Sequence, residues 1–247
     1  MAPAGIGDRV EGLHAVAAAI AAGRVRTLHV EQSRLRHDDV AAIVDAARAG
    51  GARIEVESDV RPLATTGAPQ GVVADARPLP LLSIDAVVTL AEPTALLVLD
   101  HLEDPRNVGA IARSARATGI PAIVVAGRRS APLGATAFKA AAGALEHVKI
   151  AEVASIPQAL QRLSSRGVWI VGLDGAGDRP LWNLDLLSEP VAVVVGAEGR
   201  GLHRLTAERC DVVVRIPMAP GVESLNASVA AALAMFEVAR VRSQAQA

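Results

Sequence analysis

The rhythm of apolar and polar positions along this 247-residue chain changes near residue 95. Before that point, strand-like runs and helical spacings follow one another at irregular intervals. Residues 11–22 read as a helix stopped by Gly23, and Val25–Val30 as a strand. Val40, Ile43, Val44 and Ala47 recur at helical spacing over Asp38–Ala49, and Gly50-Gly51 ends that helix. Arg53–Val56 and Gly71–Ala74 are strands, with a short helix at most over Ser58–Ala64. These elements predict a small β/α sandwich to about residue 77. A linker over 78–94 follows, in which Pro78, Pro80 and Pro93 surround the apolar Leu81–Leu90.

From Leu96 the alternation becomes regular. Strands are expected at Leu96–Leu99, Ala122–Val125, Val148–Ala151, Val168–Val171, Val191–Val195 and Val212–Ile216. Between and after them, helices are expected at Val108–Thr118, Ala135–Ala142, Ile156–Ser165, Leu202–Cys210 and from Ser224, as N-cap, to Phe236. Strands alternating with helices predict an α/β fold with a parallel sheet covered on both faces. In such sheets ligands sit outside the carboxyl ends of the strands, where free amides converge.

Three loops fall at those ends. The first is Asp100-His-Leu-Glu-Asp-Pro-Arg-Asn107, running into a helix that carries Gly109 and Arg113. The second, Gly196-Ala-Glu198-Gly199-Arg200-Gly201, permits close backbone approach to a ligand and holds one acid in its tight part. Its glycine order is not that of a dinucleotide fingerprint. The third, Ile216–Asn226, is broken by Pro217, Pro220 and Gly221 and leads to Ser224 and a small, apolar helix.

Composition narrows the chemistry. The net charge of −1 announces no nucleic acid, so any such partner must be met by a local patch. Arg24, Arg26, Arg34, Arg36 and His37 cluster near the first strand; they read as a solvated face or as a phosphate-contacting patch. Phe138, Trp169, Trp182 and Phe236 are the only aromatics, too few for a base-stacking platform. Cys210 is the sole cysteine, read as a small buried side chain, which fits a reducing cytoplasm. No apolar run approaches membrane length, and Ala15–Ala22 lacks the basic flank of an export signal. The six histidines are scattered, so no metal is expected. Ser224 has no His–Asp partners in a neighbouring loop, against hydrolytic chemistry.

The loops also carry a resemblance. D-P-x-N-x-G-x-x-x-R at 104–113, V-G-A-E-G-x-G-L at 195–202 and I-P-M-x-x-x-V-x-S-L-N-x-S-V-A at 216–230 resemble the three motifs of the SpoU/TrmH RNA ribose methyltransferases, in that family's order and spacing. The V-E-G-L-H-A-V run at 10–16 resembles the family's substrate domain, and Ala131–Glu146 is similar to the branch acting on a guanosine of 23S ribosomal RNA. Pro69-Gln70-Gly71 departs from that branch, whose close members carry histidine at the first position.

The resemblance implies a knotted (SPOUT) catalytic domain over 95–247, with a deep trefoil knot. It implies a small α/β domain of the ribosomal-protein L30e type over 1–77, which recognises RNA. The cofactor implied is S-adenosylmethionine, the methyl donor, held by Gly196, Ile216 and Leu225. Arg113 would act as base on the ribose 2′-hydroxyl, with Asn107, Glu198, Ser224 and Asn226 positioning it. A homodimer through the C-terminal helix, about 226–240, is implied as well. Because a guanidinium holds its proton, an orienting role for Arg113 beside an RNA phosphate stands as the alternative to a literal base. Transfer RNA or another ribosomal site is the rival substrate, and a non-catalytic assembly factor the rival class.

Overall fold

The computed structural model describes residues 5–222 and 224–245. The chain lays down β1 (Arg9–Glu11), α1 (Leu13–Ala21), β2 (Val25–Glu31), α2 (Asp38–Ala49), β3 (Arg53–Glu57) and β4 (Val72–Ala76). These four strands form one mixed sheet in the order β1-β4-β2-β3, parallel only between β2 and β3. One of its residues was expected to lie in a helix: Glu11 ends β1, and Gly12, at φ 86°, makes the turn that lets α1 begin only at Leu13. Val10, Leu28, Val30, Val72 and Ala74 bury one face of this sheet under α1 and α2.

Between the sheets lie a short helix, α3 (Ile84–Val88), and a bridge from Leu82 to Ala151. The second sheet then builds through β5 (Ala95–Asp100), α4 (Pro105–Thr118), β6 (Ala122–Ala126), α5 (Ala135–Ala141), β7 (Lys149–Val153) and α6 (Ile156–Ser164). It is completed by β8 (Trp169–Leu173), β9 (Arg179–Pro180), β10 (Val191–Gly196), α7 (Arg204–Ala207), β11 (Val212–Arg215) and α8 (Ala227–Ala245). Its order is β7-β6-β5-β10-β8-β11-β9, and every pairing is parallel. Leu97 and Leu99 face a core shared with α4, α5 and α8, while Leu96 and Val98 face one shared with α3 and α6. A sheet buried on both sides needs apolar residues at consecutive positions, which is why these strands read as continuous runs. β10 and β11 each enter between strands laid down earlier in the chain, an order consistent with a knotted C-terminal segment.

Several expectations are corrected. α4 begins at Pro105, three residues before the expected start, because Asp104 caps it and proline is preorganised for the first helical turn. Ser224 is not the cap of α8: Asn226 is, its Oδ1 accepting the Ser228 amide at 2.9 Å. α7 is a single turn rather than the longer helix expected over Leu202–Cys210. β9 is two residues long and carries a proline, so no periodicity announced it.

Arg24 does not belong to the surface patch. It is buried between the two sheets, where its Nε and Nη2 donate to both carboxylate oxygens of Glu146 at 2.7 and 2.6 Å, and Nη1 donates to the Gly7 carbonyl at 3.1 Å. Phe138 lies under the guanidinium, 5.9 Å from it. Arg26, Arg36 and His37 stay exposed, while Arg34 is half-buried over Gly71.

Candidate functional site

The carboxyl ends of β5, β10, β8 and β11 are neighbours, and the loops that leave them converge. After β5, Asp100 is fully buried, and its Oδ1 lies 2.7 Å from Nδ1 of His101, a residue held at φ 60°. Leu102 is buried and its carbonyl accepts the Ala131 amide at 2.6 Å. Asp104 Oδ1 accepts the Arg106 amide at 2.8 Å and starts α4, which places Asn107 in its first turn with its side chain turned inward.

After β10 the chain folds back on itself. A Cβ on Gly196 would lie 2.1 Å from the Gly201 carbonyl oxygen, and one on Gly201 only 2.2 Å from Asp174 Oδ2. Glycine at these two positions is what lets the loop close. Asp174, just beyond β8, ties the turn down: its Oδ2 accepts the Leu202 amide at 3.1 Å and its Oδ1 the Ala176 amide at 2.9 Å. From the other side Asp100 Oδ2 accepts the His203 amide at 2.8 Å.

Glu198 is the meeting point. Its Oε1 accepts from Asn107 Nδ2 at 2.8 Å, from Asn226 Nδ2 at 2.6 Å and from the Ala227 amide at 3.2 Å. Asn226 Nδ2 also lies 3.1 Å from Asn107 Oδ1. Residues 107, 198 and 226, from three separate loops, thus form one cluster at the amino ends of α4 and α8, where the helix dipoles favour a carboxylate. Among the described residues no donor reaches the other oxygen of Glu198.

Two cavities adjoin this cluster. The larger, about 380 Å³, is walled by Leu173, Val195, Gly196, Ile216, Met218 and Leu225, with Asp174 and Ser224 at its polar side. The smaller, about 230 Å³, lies between the loop after β5 and Glu198. Ala197, Glu198 and Arg200 line both. Arg113 lines neither: six residues beyond Asn107 it stands roughly 240° further round the helix, exposed, and does not reach back to its own loop.

The model of the SpoU rRNA methylase family matches residues 94–236, and that of RNA 2′-O ribose methyltransferase substrate binding matches 9–82. The chain belongs to the SpoU rRNA methylase family. It is 39% identical over 242 residues to the 23S rRNA (guanosine-2′-O-)-methyltransferase RlmB of Pseudomonas aeruginosa, covering 95% of this chain and 97% of that protein. It is 40% identical to RlmB of Ralstonia nicotianae over 238 residues, with 94% and 95% covered. Among solved structures it is similar to the SpoU methyltransferase AviRb of Streptomyces viridochromogenes in complex with the cofactor AdoMet, at a TM-score of 0.80 and 26% identity, covering 96% of this chain and 90% of that one.

For a SpoU methylase the larger cavity suits S-adenosylmethionine. Its apolar walls match an adenine ring and a thioether chain, and its glycine-rich floor exposes backbone groups to the polar parts. The sequence reading missed Asp100 and Asp174, whose signal is an acid at or just beyond the end of a buried strand. It also read the histidines as scattered, yet the fold brings His101 and His203 together on Asp100, with ring centroids 4.4 Å apart. Cys210 packs beside the turn, where burial pushes its thiol up to about 12 and leaves it unreactive at neutral pH.

Proposed function

We propose that this SpoU-family chain transfers a methyl group from S-adenosylmethionine to a ribose 2′-hydroxyl in RNA, at a guanosine of 23S ribosomal RNA. The observation that carries this reading is the Glu198 cluster set between two adjoining cavities, one suited to the cofactor and one open to a nucleotide. The relatives named above as 23S guanosine methyltransferases match nearly the whole chain.

In this reading Gly196, Ile216 and Leu225 hold the cofactor, whose sulfonium supplies the methyl group. Methyl transfer needs the acceptor oxygen in line with that methyl and partly freed of its proton. Glu198, locked by Asn107 and Asn226 at the border of both cavities, fixes the two loops against each other and keeps one oxygen without a protein donor among the described residues. Ser224, exposed at the cavity edge, offers a hydroxyl to the nucleotide. Arg113 brings positive charge to the 2′-hydroxyl as its proton leaves; a guanidinium keeps its own protons, so the proton goes to a neighbouring RNA phosphate or to water.

The reading assigns RNA recognition to residues 1–77, a linker to 78–94 and catalysis to 95–247, with 23S ribosomal RNA as partner in the cytoplasm. It also assigns a homodimer through α8. Val229, Leu233 and Phe236 form an exposed apolar stripe at one-turn spacing on that helix, 47%, 36% and 55% accessible, which supports a helix-mediated pair. Arg113, outside the cavities of its own chain, supports the same arrangement. Among the described residues no helix is long and apolar enough to cross a membrane.

Transfer of labelled methyl to unmethylated 23S ribosomal RNA and to bulk transfer RNA tests the reading. One 23S guanosine should be labelled, and Arg113→Ala should lower the rate by about a hundredfold or more while cofactor affinity stays unchanged. Labelling of transfer RNA alone would overturn the substrate, and failure to bind the cofactor would overturn the activity.

A further inference from the structure

The smaller cavity has a feature that methyl transfer by itself does not explain. In the loop that leaves β5 almost every side chain is already committed: His101 to Asp100, Leu102 to the core, Asp104 to the α4 cap, Asn107 to Glu198. Glu103 and Arg106 are the exceptions, and of the two only Glu103 faces the smaller cavity. It is exposed, lines the cavity and makes no side-chain hydrogen bond or ion pair among the described residues. From the glycine-rich turn Arg200 lines the same cavity, also exposed and also without a side-chain partner among the described residues. A carboxylate and a guanidinium, each on a loop fixed by buried anchors and each without a protein partner, are left to a ligand.

From this we infer that Glu103 and Arg200 read the base of the target nucleotide, and that the base they select is guanine; the inference rests on the proposed methyl transfer. Volume sets the first limit. At about 230 Å³ the cavity is below the roughly 300 Å³ at which ligand pockets usually begin, room for one flat base beside the cofactor. Hydrogen-bond chemistry sets the second. A carboxylate only accepts and a guanidinium only donates. Guanine alone among the four bases offers two adjacent donors, N1–H and the 2-amino group, on one edge. On the next edge it offers two adjacent acceptors, O6 and N7. Glu103 takes the donor pair and Arg200 the acceptor pair. Adenine presents its N1 lone pair where Glu103 needs a donor, and so places two acceptors face to face.

The test is single-turnover methyl transfer to a 23S fragment that carries the mapped target, prepared with guanosine, inosine or adenosine at that one position. Inosine lacks only the 2-amino group. The wild-type chain should methylate guanosine about tenfold or more faster than inosine, and adenosine more slowly still. Glu103→Gln should slow guanosine to near the inosine rate and erase the difference between them, with S-adenosylmethionine affinity unchanged as evidence of an intact fold. Arg200→Ala should erase the penalty against 7-deazaguanosine, which lacks the N7 acceptor. A wild type that does not methylate the guanosine fragment overturns the proposed function and this inference with it. A wild type that transfers equally to guanosine and inosine, or a Glu103→Gln chain that keeps their difference, overturns the role of Glu103 and leaves methyl transfer standing. An undiminished 7-deaza penalty in Arg200→Ala overturns the role of Arg200.

Discussion

Glu11 and Glu198 sit at equivalent jobs in the two halves of the molecule, each holding a loop against a neighbouring element, and they are built in opposite ways. Glu11 is fully buried at the end of β1, and Thr65 and Thr66 donate to it from both backbone amides and both hydroxyls. Burial pushes its carboxyl up, but the four hydrogen bonds outweigh that and hold it below the usual glutamate range. Glu146, between the sheets, is closed in the same manner by Arg24. Glu198 is exposed, and its three donors crowd onto one oxygen. A carboxylate saturated by protein contributes rigidity and has nothing left for a ligand. One held by a single oxygen is positioned and still able to act.

The comparison breaks most sharply at Arg24. Its loss leaves Glu146 buried without a counter-charge, so Arg24→Ala should cost about 3–5 kcal/mol and lower Tm by at least roughly 6 °C. Calorimetry on the full chain measures it. Glu198→Ala should show the converse pattern: the methyl-transfer rate falls by about a hundredfold or more, yet Tm moves little, because Asn226 is exposed and the smaller cavity opens beside Asn107. A Tm loss as large as that of Arg24→Ala would make Glu198 a structural residue instead.

A smaller effect separates the two glutamates by pH. Because the folded value of Glu11 lies below the ordinary 4.5, its contribution to stability is complete above about that pH and is lost as pH falls through the lowered folded value. Glu11→Gln should therefore flatten the acid limb of the stability curve, read by denaturant melts below pH 5, while methyl transfer at neutral pH is unchanged. The smallest effect belongs to the exposed pair of Arg162 with Asp85, where Arg162→Ala should leave Tm unchanged within error.

Much of the fold was legible because local patterns and tertiary burial coincide. The continuous apolar runs that become β5, β6 and β10 can be buried on both sides in a parallel sheet, and such sheets put their ligand loops at the strand carboxyl ends. The three loops were located that way, the family resemblance pointed within them to Asn107, Glu198 and Asn226, and the geometry brings those three side chains together. Elements of two or three residues, β1 and β9, carry no period to read. The capping of α8 was misassigned because serine and asparagine two positions apart serve equally well as caps in a sequence, and only the loop path selects Asn226.

By itself, then, the sequence determined the elements, their alternation and the residues that line the strand ends, since propensity, turn chemistry and hydrophobic period act over a few residues. The tertiary structure alone decided which polar groups meet. Sheet order put Asp100 beside Gly196, His101 beside His203, and Arg24 against Glu146 across 122 positions of chain. Contacts of that kind depend on how strands are threaded and on which oxygen each buried donor finds first, and neither is written in any local pattern.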